Sequence, residues 1–334
     1  MIDFRYHLVS IVAVFLALAV GIVMGTTLLT DPAIELAKRT SDHLARNNKE
    51  LLGDLDVLRG REASNDAFIT QETPRLVSGL LAGERVLLVE SPGSSVGLRE
   101  SQQQALTDAG AIVSGRISLS EKYTDPRQSN LVNELTQQLK PATLIYSGTD
   151  PYQNAATLLA LATMTGDDAL AGTDDIAVAG VLGAFEKAGL LSLDGDPAKR
   201  ATLAVMFAPD KPFEGESADA QAATLVALAG ELDRGGQGAL VAGTGASASS
   251  SGGLLAALRD SGDIAGAVSS VDTLDMPAGR VVVVFALQEQ LQGKSGHYGI
   301  GSGASAFQPA ESIPAKVPAS TSAPTPAPTQ SSGN

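Results

Sequence analysis

The 334-residue sequence contains no cysteine and no tryptophan. Without cysteine there are no disulfides, no thiolate metal sites and no cysteine nucleophile. The compartment stays open, because an oxidising space permits disulfides without requiring them. Histidine is nearly absent too: His7, His43 and His297 are the three, each in a different segment. Aromatic residues make up 4% of the chain, so the core has to be small-residue α/β packing built from Ala, Gly, Val and Leu. Basic residues fall short of acidic ones, 23 against 37, giving a formal charge of −14. That deficit argues against a nucleic-acid partner, which needs clustered Lys and Arg, and against a polybasic grip on anionic lipid heads. The complete G-x-x-x-x-G-K-[ST] phosphate loop does not occur.

What the sequence has is one uncharged apolar run, Leu8 to Leu29. As a helix it reaches ~33 Å, enough to cross a ~30 Å hydrocarbon core. Ala13, Ala17, Gly21 and Gly25 recur every fourth residue within it, a small-residue stripe of the kind that lets two helices approach closely in lipid. A secretory signal peptide is the alternative, but its basic n-region would be Arg5 alone and no small-x-small cleavage site follows the run. The expectation is a transmembrane anchor over 1–30 that self-associates through those four residues. Orientation is not fixed by charge, since Arg5 precedes the run and Lys38, Arg39 and Arg46 follow it.

A heptad pattern begins at once. Asp31-Pro32 suits a helix start, and alternate a and d positions read Ile34, Ala37, Ser41, Leu44, Asn48, Leu51, Leu55, Leu58, Glu62, Asn65 and Ile69. The spacing holds for about five heptads, which predicts a coiled-coil stalk over 31–73. Its seam would be Ile34, Ala37, Leu44, Asn48, Leu51, Leu55 and Leu58, with Asn48 at an a position where a buried amide fixes register. A single amphipathic helix lying on the globular domain is the competing reading. Pro74 is expected to end the helix. Span and stalk together predict a homodimer or higher oligomer.

Beyond Gly83 short apolar runs alternate with helical stretches. Strands are predicted at 86–90, 112–119, 143–147, 203–207, 239–242, 268–274 and 280–285, with helices at 97–109, 127–139, 152–164, 174–188, 217–234, 252–261 and 286–292. Such alternation implies an α/β fold over 84–307, a doubly wound, mostly parallel, Rossmann-like sheet. A shift of 152 residues matches Val89 with Val241, Gly93 with Gly245 and Asp108 with Asp260, which suggests two similar halves. From 308 to 334 the Pro/Ser/Thr/Ala composition predicts a disordered tail.

Chemical motifs are sparse. Gly243-Thr244-Gly245-Ala246-Ser247-Ala248 loosely fits a dinucleotide turn, but the Ser/Gly run after it favours an ordinary strand-to-helix turn. His297, in Gly296-His297-Tyr298-Gly299, is read as half of a packing His–Tyr pair that closes the fold. Asp167-Asp168 and Asp174-Asp175 match no EF-hand spacing and are read as a solvated loop. No catalytic or cofactor-binding residue is assigned, and an enzyme is not expected.

Three blocks carry a resemblance. Phe4-Arg5-Tyr6-His7-Leu8-Val9-Ser10 with Val14 to Gly21, then Val271 to Gly279, then Ala286 to Leu291 with Gly296 to Gly299, resemble the MctB family of copper-transport proteins. The resemblance implies a cell-envelope protein on the cell membrane, single-pass, with the bulk of the chain outside the cytoplasm, and an association with the outer membrane. It also implies copper export and tolerance, or, alternatively, a non-enzymatic scaffold that recruits or activates a cell-wall hydrolase in cell separation. The residues themselves show no copper ligand set: Met24, Met164, Met206 and Met276 form no Met-x-x-Met cluster and the histidines lie apart.

Overall fold

The structure is a computed structural model that describes residues 4–28, 30–248 and 252–310. It divides into two units, residues 1–65 and 66–334.

In the first unit, helix α1 (Phe4–Leu28) carries the apolar run. Among the described residues it is the one helix long and apolar enough to cross a membrane. Helix α2 (Thr30–Val77) follows and reaches into the second unit. It runs through Pro74 rather than stopping there. A proline one turn from a helix end forfeits a single backbone bond, and burial of Val77 and Leu81 in the core below holds the last turn in place. Leu44, Leu51, Leu55 and Leu58 of α2 are exposed. Ile34 and Ala37 lie on its backbone, with side chains outside the described residues.

The second unit is built on a seven-stranded sheet. In chain order its elements are β1 (Arg85–Glu90), α3 (Val96–Asp108), β2 (Ile112–Leu119), α4 (Glu121–Thr124), α5 (Ser129–Leu139), α6 (Pro151–Thr163), α7 (Val181–Lys187) and β3 (Leu191–Gly195). Then come β4 (Leu203–Phe207), α8 (Ala218–Gly235), β5 (Gly238–Ala242), α9 (Gly245–Ala248), α10 (Leu254–Arg259), α11 (Asp263–Ala267), β6 (Ser269–Val271), α12 (Pro277–Gln290) and β7 (His297–Tyr298). The strand order is β3-β2-β1-β4-β5-β6-β7. All neighbours pair parallel except β2 with β3, which is antiparallel.

Alternate residues of the central strands feed two separate cores, as the period of two requires. Val86 and Leu88 of β1 pack on one face with α3 and α12. Leu87 and Val89 pack on the other with α6, α8 and α10. An α/β fold with a mostly parallel sheet is therefore present, in a single sheet.

Four local expectations are corrected. The run 280–285, expected as a strand, is the middle of α12. Pro277 opens that helix at its first turn and Val281 to Val284 are all buried, so a β-branched run becomes helical when every side is covered. Residues 143–147, expected as a strand, are irregular: Tyr146 donates its hydroxyl to the Thr136 carbonyl at 2.8 Å and, with Leu144, packs against the larger core. Strand β3 was not anticipated, because an exposed edge with the burial pattern of Leu191–Gly195 lacks a clear apolar alternation. Neither was β7, which is two residues long and flanked by glycine. The tail falls outside the described residues from 311 onward.

Candidate functional site

The two C-terminal resemblance blocks, separate in sequence, meet in one place. Asp272 follows β6 and its side chain is fully buried; Arg259, at the end of α10, is 4% exposed. Their Oδ2–Nη1 distance is 2.9 Å. A buried pair needs its remaining polar atoms satisfied, and the segment after β7 does this. Asp272 accepts from the Ile300 N–H at 2.8 Å and the Gly301 N–H at 3.0 Å. Arg259 donates to the Ser302 carbonyl at 2.7 Å, the Tyr298 carbonyl at 3.2 Å and Ser270 Oγ at 3.1 Å. Gly299 adopts φ +127°, and a Cβ there would collide with the Asp272 carboxylate.

His297 and Tyr298 complete the cluster. Ser270 Oγ lies 2.9 Å from His297 Nδ1; since Ser270 already accepts from Arg259, its own proton is free to donate to a neutral ring. Burial and then the Arg259 charge hold the His297 pKa below its ordinary 6.5, opposed by a bond to the Ala265 backbone. The Tyr298 hydroxyl donates to Glu289 of α12, and burial followed by that carboxylate raises the phenol's pKa. His297 and Tyr298 form the last strand of the sheet, and their side chains bond to Ser270 and Glu289 respectively. What the sequence reading did not find was the Arg259–Asp272 pair beneath it; the signal was an Asp directly after a strand and an Arg ending a helix, too common to single out.

A second feature lies at the carboxyl ends of β1, β2 and β4, where connections leave β1's neighbours in opposite directions along the sheet. Open parallel sheets place ligands at such switch points. Here a cleft of about 870 Å³ is lined by the turn Pro92-Gly93, by Glu121 to Arg127, and by Pro209 to Gln221 at the start of α8. Lys122, Arg127 and Lys211 line it together with Glu121, Asp125, Asp210 and Glu216, and Arg127 is paired to Asp125 at 2.9 Å. No His or Met lines the cleft, so it lacks the imidazole and thioether donors that copper takes.

The turn after β1 also contains Gly93-Ser94-Ser95-Val96-Gly97, which has the form G-x-S-x-G. A nucleophile elbow strains its serine at a sharp turn. Ser95 instead has φ −78° and ψ 122° and caps α3, accepting from the Leu98 N–H. It is a helix start.

The remaining sequence candidates are structural. Asp174 pairs with Lys199 at 3.2 Å and Asp175 with Arg200 at 3.3 Å, while Asp167 caps a turn at Ala169 N–H. Gly243 donates to the Val271 carbonyl at 2.8 Å, joining its turn to the end of β6. Met164 and Met206 are core residues. Among the described residues no group of three or more His, Asp or Glu side chains could hold a metal ion.

Comparison with known proteins matches residues 1–309 to the family described as "Copper transport outer membrane protein, MctB". The chain belongs to the MctB family. "Copper transporter MctB" of Mycobacterium tuberculosis H37Rv is 28% identical over 312 residues, covering 91% of this chain and 98% of that protein. Its namesake in Mycobacterium leprae is 26% identical over 315 residues, 92% of this chain and 98% of the relative. The MctB match takes in α1, α2 and the whole sheet, so the buried cluster around Asp272 is part of an MctB fold.

Proposed function

We propose that this chain is a copper-transport protein of the cell envelope, anchored by α1 and working as an oligomer, with the bulk of the chain outside the cytoplasm. The observation that carries the reading is the family match from residue 1 to 309, which includes the apolar helix as well as the folded domain. The names of the relatives are of copper transport, and the scaffold alternative gains no support from them.

Copper here is cargo. Cu(I) favours thioether and thiolate sulfur, and imidazole suits copper more generally. Among the described residues no three His, Asp or Glu side chains of one copy converge, which favours ligands drawn from several copies. At about 100° per residue around a helix, Ala13, Ala17, Gly21 and Gly25 fall within one arc of α1. Met24 falls inside that arc and His7 at its edge. An oligomer closing through the small-residue face turns one thioether and one imidazole per copy toward its axis.

The test is a strain lacking the gene, complemented with the wild-type chain or with Met24→Leu, grown across a copper series. Copper sensitivity on deletion, restored by wild type and poorly restored by Met24→Leu, is the expected result. A deletion strain with an ordinary copper response and ordinary intracellular copper removes the transport reading. Full rescue by Met24→Leu and by His7→Gln removes the α1 ligands alone.

A further inference from the structure

The structure gives α2 as one unbroken helix whose apolar seam and flanking charges face solvent. Leu44, Leu51, Leu55 and Leu58 are between 44 and 60% exposed. In the heptad that makes these the a and d positions, Asp54 and Arg61 occupy g and Arg59 occupies e. Among the described residues Asp54 and Arg61 make no ion pair, and Arg59 meets Asp56 only at 4.0 Å on the surface. The seam has an end as well: Ile69, the next a position, is partly buried against the core of the second unit. Four leucines, an asparagine and three charges along about five turns are thus left for an outside partner.

We propose that the partner is a second copy of this chain, docked parallel and in register along residues 44–62. The proposal rests on the oligomer reading above and adds its geometry. Three observations select this occupant. First, in a parallel two-stranded coil each g side chain meets the e side chain five residues further along the partner. That rule sets Asp54 against Arg59 of the second copy, twice by symmetry, using charges that the single chain leaves unspent. Second, an in-register pair places the two Asn48 amides opposite each other at an a layer. There they satisfy one another, and such a layer penalises shifted registers. Third, α1 precedes α2 without a long connection, so two copies anchored in one bilayer start their α2 helices at the same end.

Glu62 at the following a position looks unfavourable, since it faces its own symmetry mate. Arg61 of the second copy borders the hole that Glu62 enters, because an a knob sits beside the preceding g residue of the facing helix. The carboxylates are therefore flanked by guanidinium groups, and the seam closes with a polar layer before Ile69 turns to the folded domain.

The absence of cysteine makes the test direct, because a single introduced thiol is the only one in the chain. Full-length Leu44→Cys and Leu58→Cys are expressed separately in membranes and oxidised with diamide. Both are expected to give mostly dimer on a non-reducing gel, because d positions of a parallel in-register pair lie within disulfide reach. Glu50→Cys, on the outer face, is expected to give several-fold less. Asp54→Arg added to Leu58→Cys should cut the dimer several-fold, and Arg59→Asp added to that should restore it.

Crosslinks that form only between co-expressed Leu44→Cys and Leu58→Cys chains establish an antiparallel pair and overturn the proposal. So does equal crosslinking at Glu50, or no crosslinking at 44 and 58. Charge reversal without effect overturns the Asp54–Arg59 pairing. The readout needs no copper, so loss of the transport reading and loss of this one are told apart.

Discussion

The Asp272 carboxylate touches solvent nowhere, yet it holds three partners: the Arg259 guanidinium 2.9 Å away and the backbone N–H groups of Ile300 and Gly301. Removing one member of a buried pair leaves the other charged and unpaired, at a cost of about 3–5 kcal/mol. Asp272→Ala and Arg259→Ala are each expected to lower the thermal midpoint of the detergent-solubilised chain by many degrees. The double substitution should cost less than the sum, and calorimetry on the three variants checks this as a double-mutant cycle.

Gly299 and Gly293 both have positive φ, +127° and +70°. A Cβ at Gly293 meets open space, whereas one at Gly299 runs into Asp272. Gly293→Ala is expected to cost about 1 kcal/mol, the ordinary strain of the left-handed region. Gly299→Ala should cost distinctly more, because it also displaces the carboxylate. Chemical denaturation of the two variants side by side decides it.

Stability should fall in mild acid through His297. Its folded-state pKa is held below 6.5 by burial and by Arg259, with Ser270 and the Ala265 carbonyl as its polar neighbours. Above 6.5 the ring is neutral folded or unfolded, and its contribution is fully present. As pH drops past 6.5 the unfolded chain takes up a proton that the folded chain resists, so stability declines until the folded pKa is passed. His297→Gln should flatten that part of the melting-midpoint profile, and an unchanged slope would show that other groups set it.

Gly21→Leu is expected to reduce association of α1 in membranes, since a branched side chain prevents close approach on that face. Crosslinking yield from a thiol placed in α1 measures it. Substitution at Ile22, off the stripe, should leave the yield unchanged.

Asn48→Val should strengthen association while loosening its specificity, because an apolar a layer admits trimers and shifted registers. Analytical ultracentrifugation of the solubilised chain should show a broader distribution of oligomers than wild type.

Much of this fold was legible where a local pattern and its burial agree. The apolar run gave α1, and β1, β4 and β5 lie within a residue of expectation because central parallel strands are continuous apolar runs, while β2 was found at its expected bounds despite Ser114, Gly115 and Arg116 within it. Legibility failed where tertiary cover overrode local preference. Val281 to Val284 read as a strand and are helix, since sheet and neighbouring helices bury them all round. Edge strands β3 and β7 had too little apolar character to register. The cluster around Asp272 was half visible: its glycine-flanked His–Tyr pair stood out, but the ion pair depends on residues 13 apart in sequence and on backbone donors from 28 positions further on. No sequence period encodes that meeting.

The sheet's last strand is supplied by His297 and Tyr298, close to the end of the described chain. A polypeptide still being synthesised has strands β1 to β6 before it has the donors that dress Asp272. Until Gly301 arrives, an acid and a guanidinium stand in a greasy crevice with half their bonds missing, and β6 has no outer neighbour. Synthesis through Gly301 thus precedes closure of the domain, and a truncation upstream of 297 should yield a product that proteases clear.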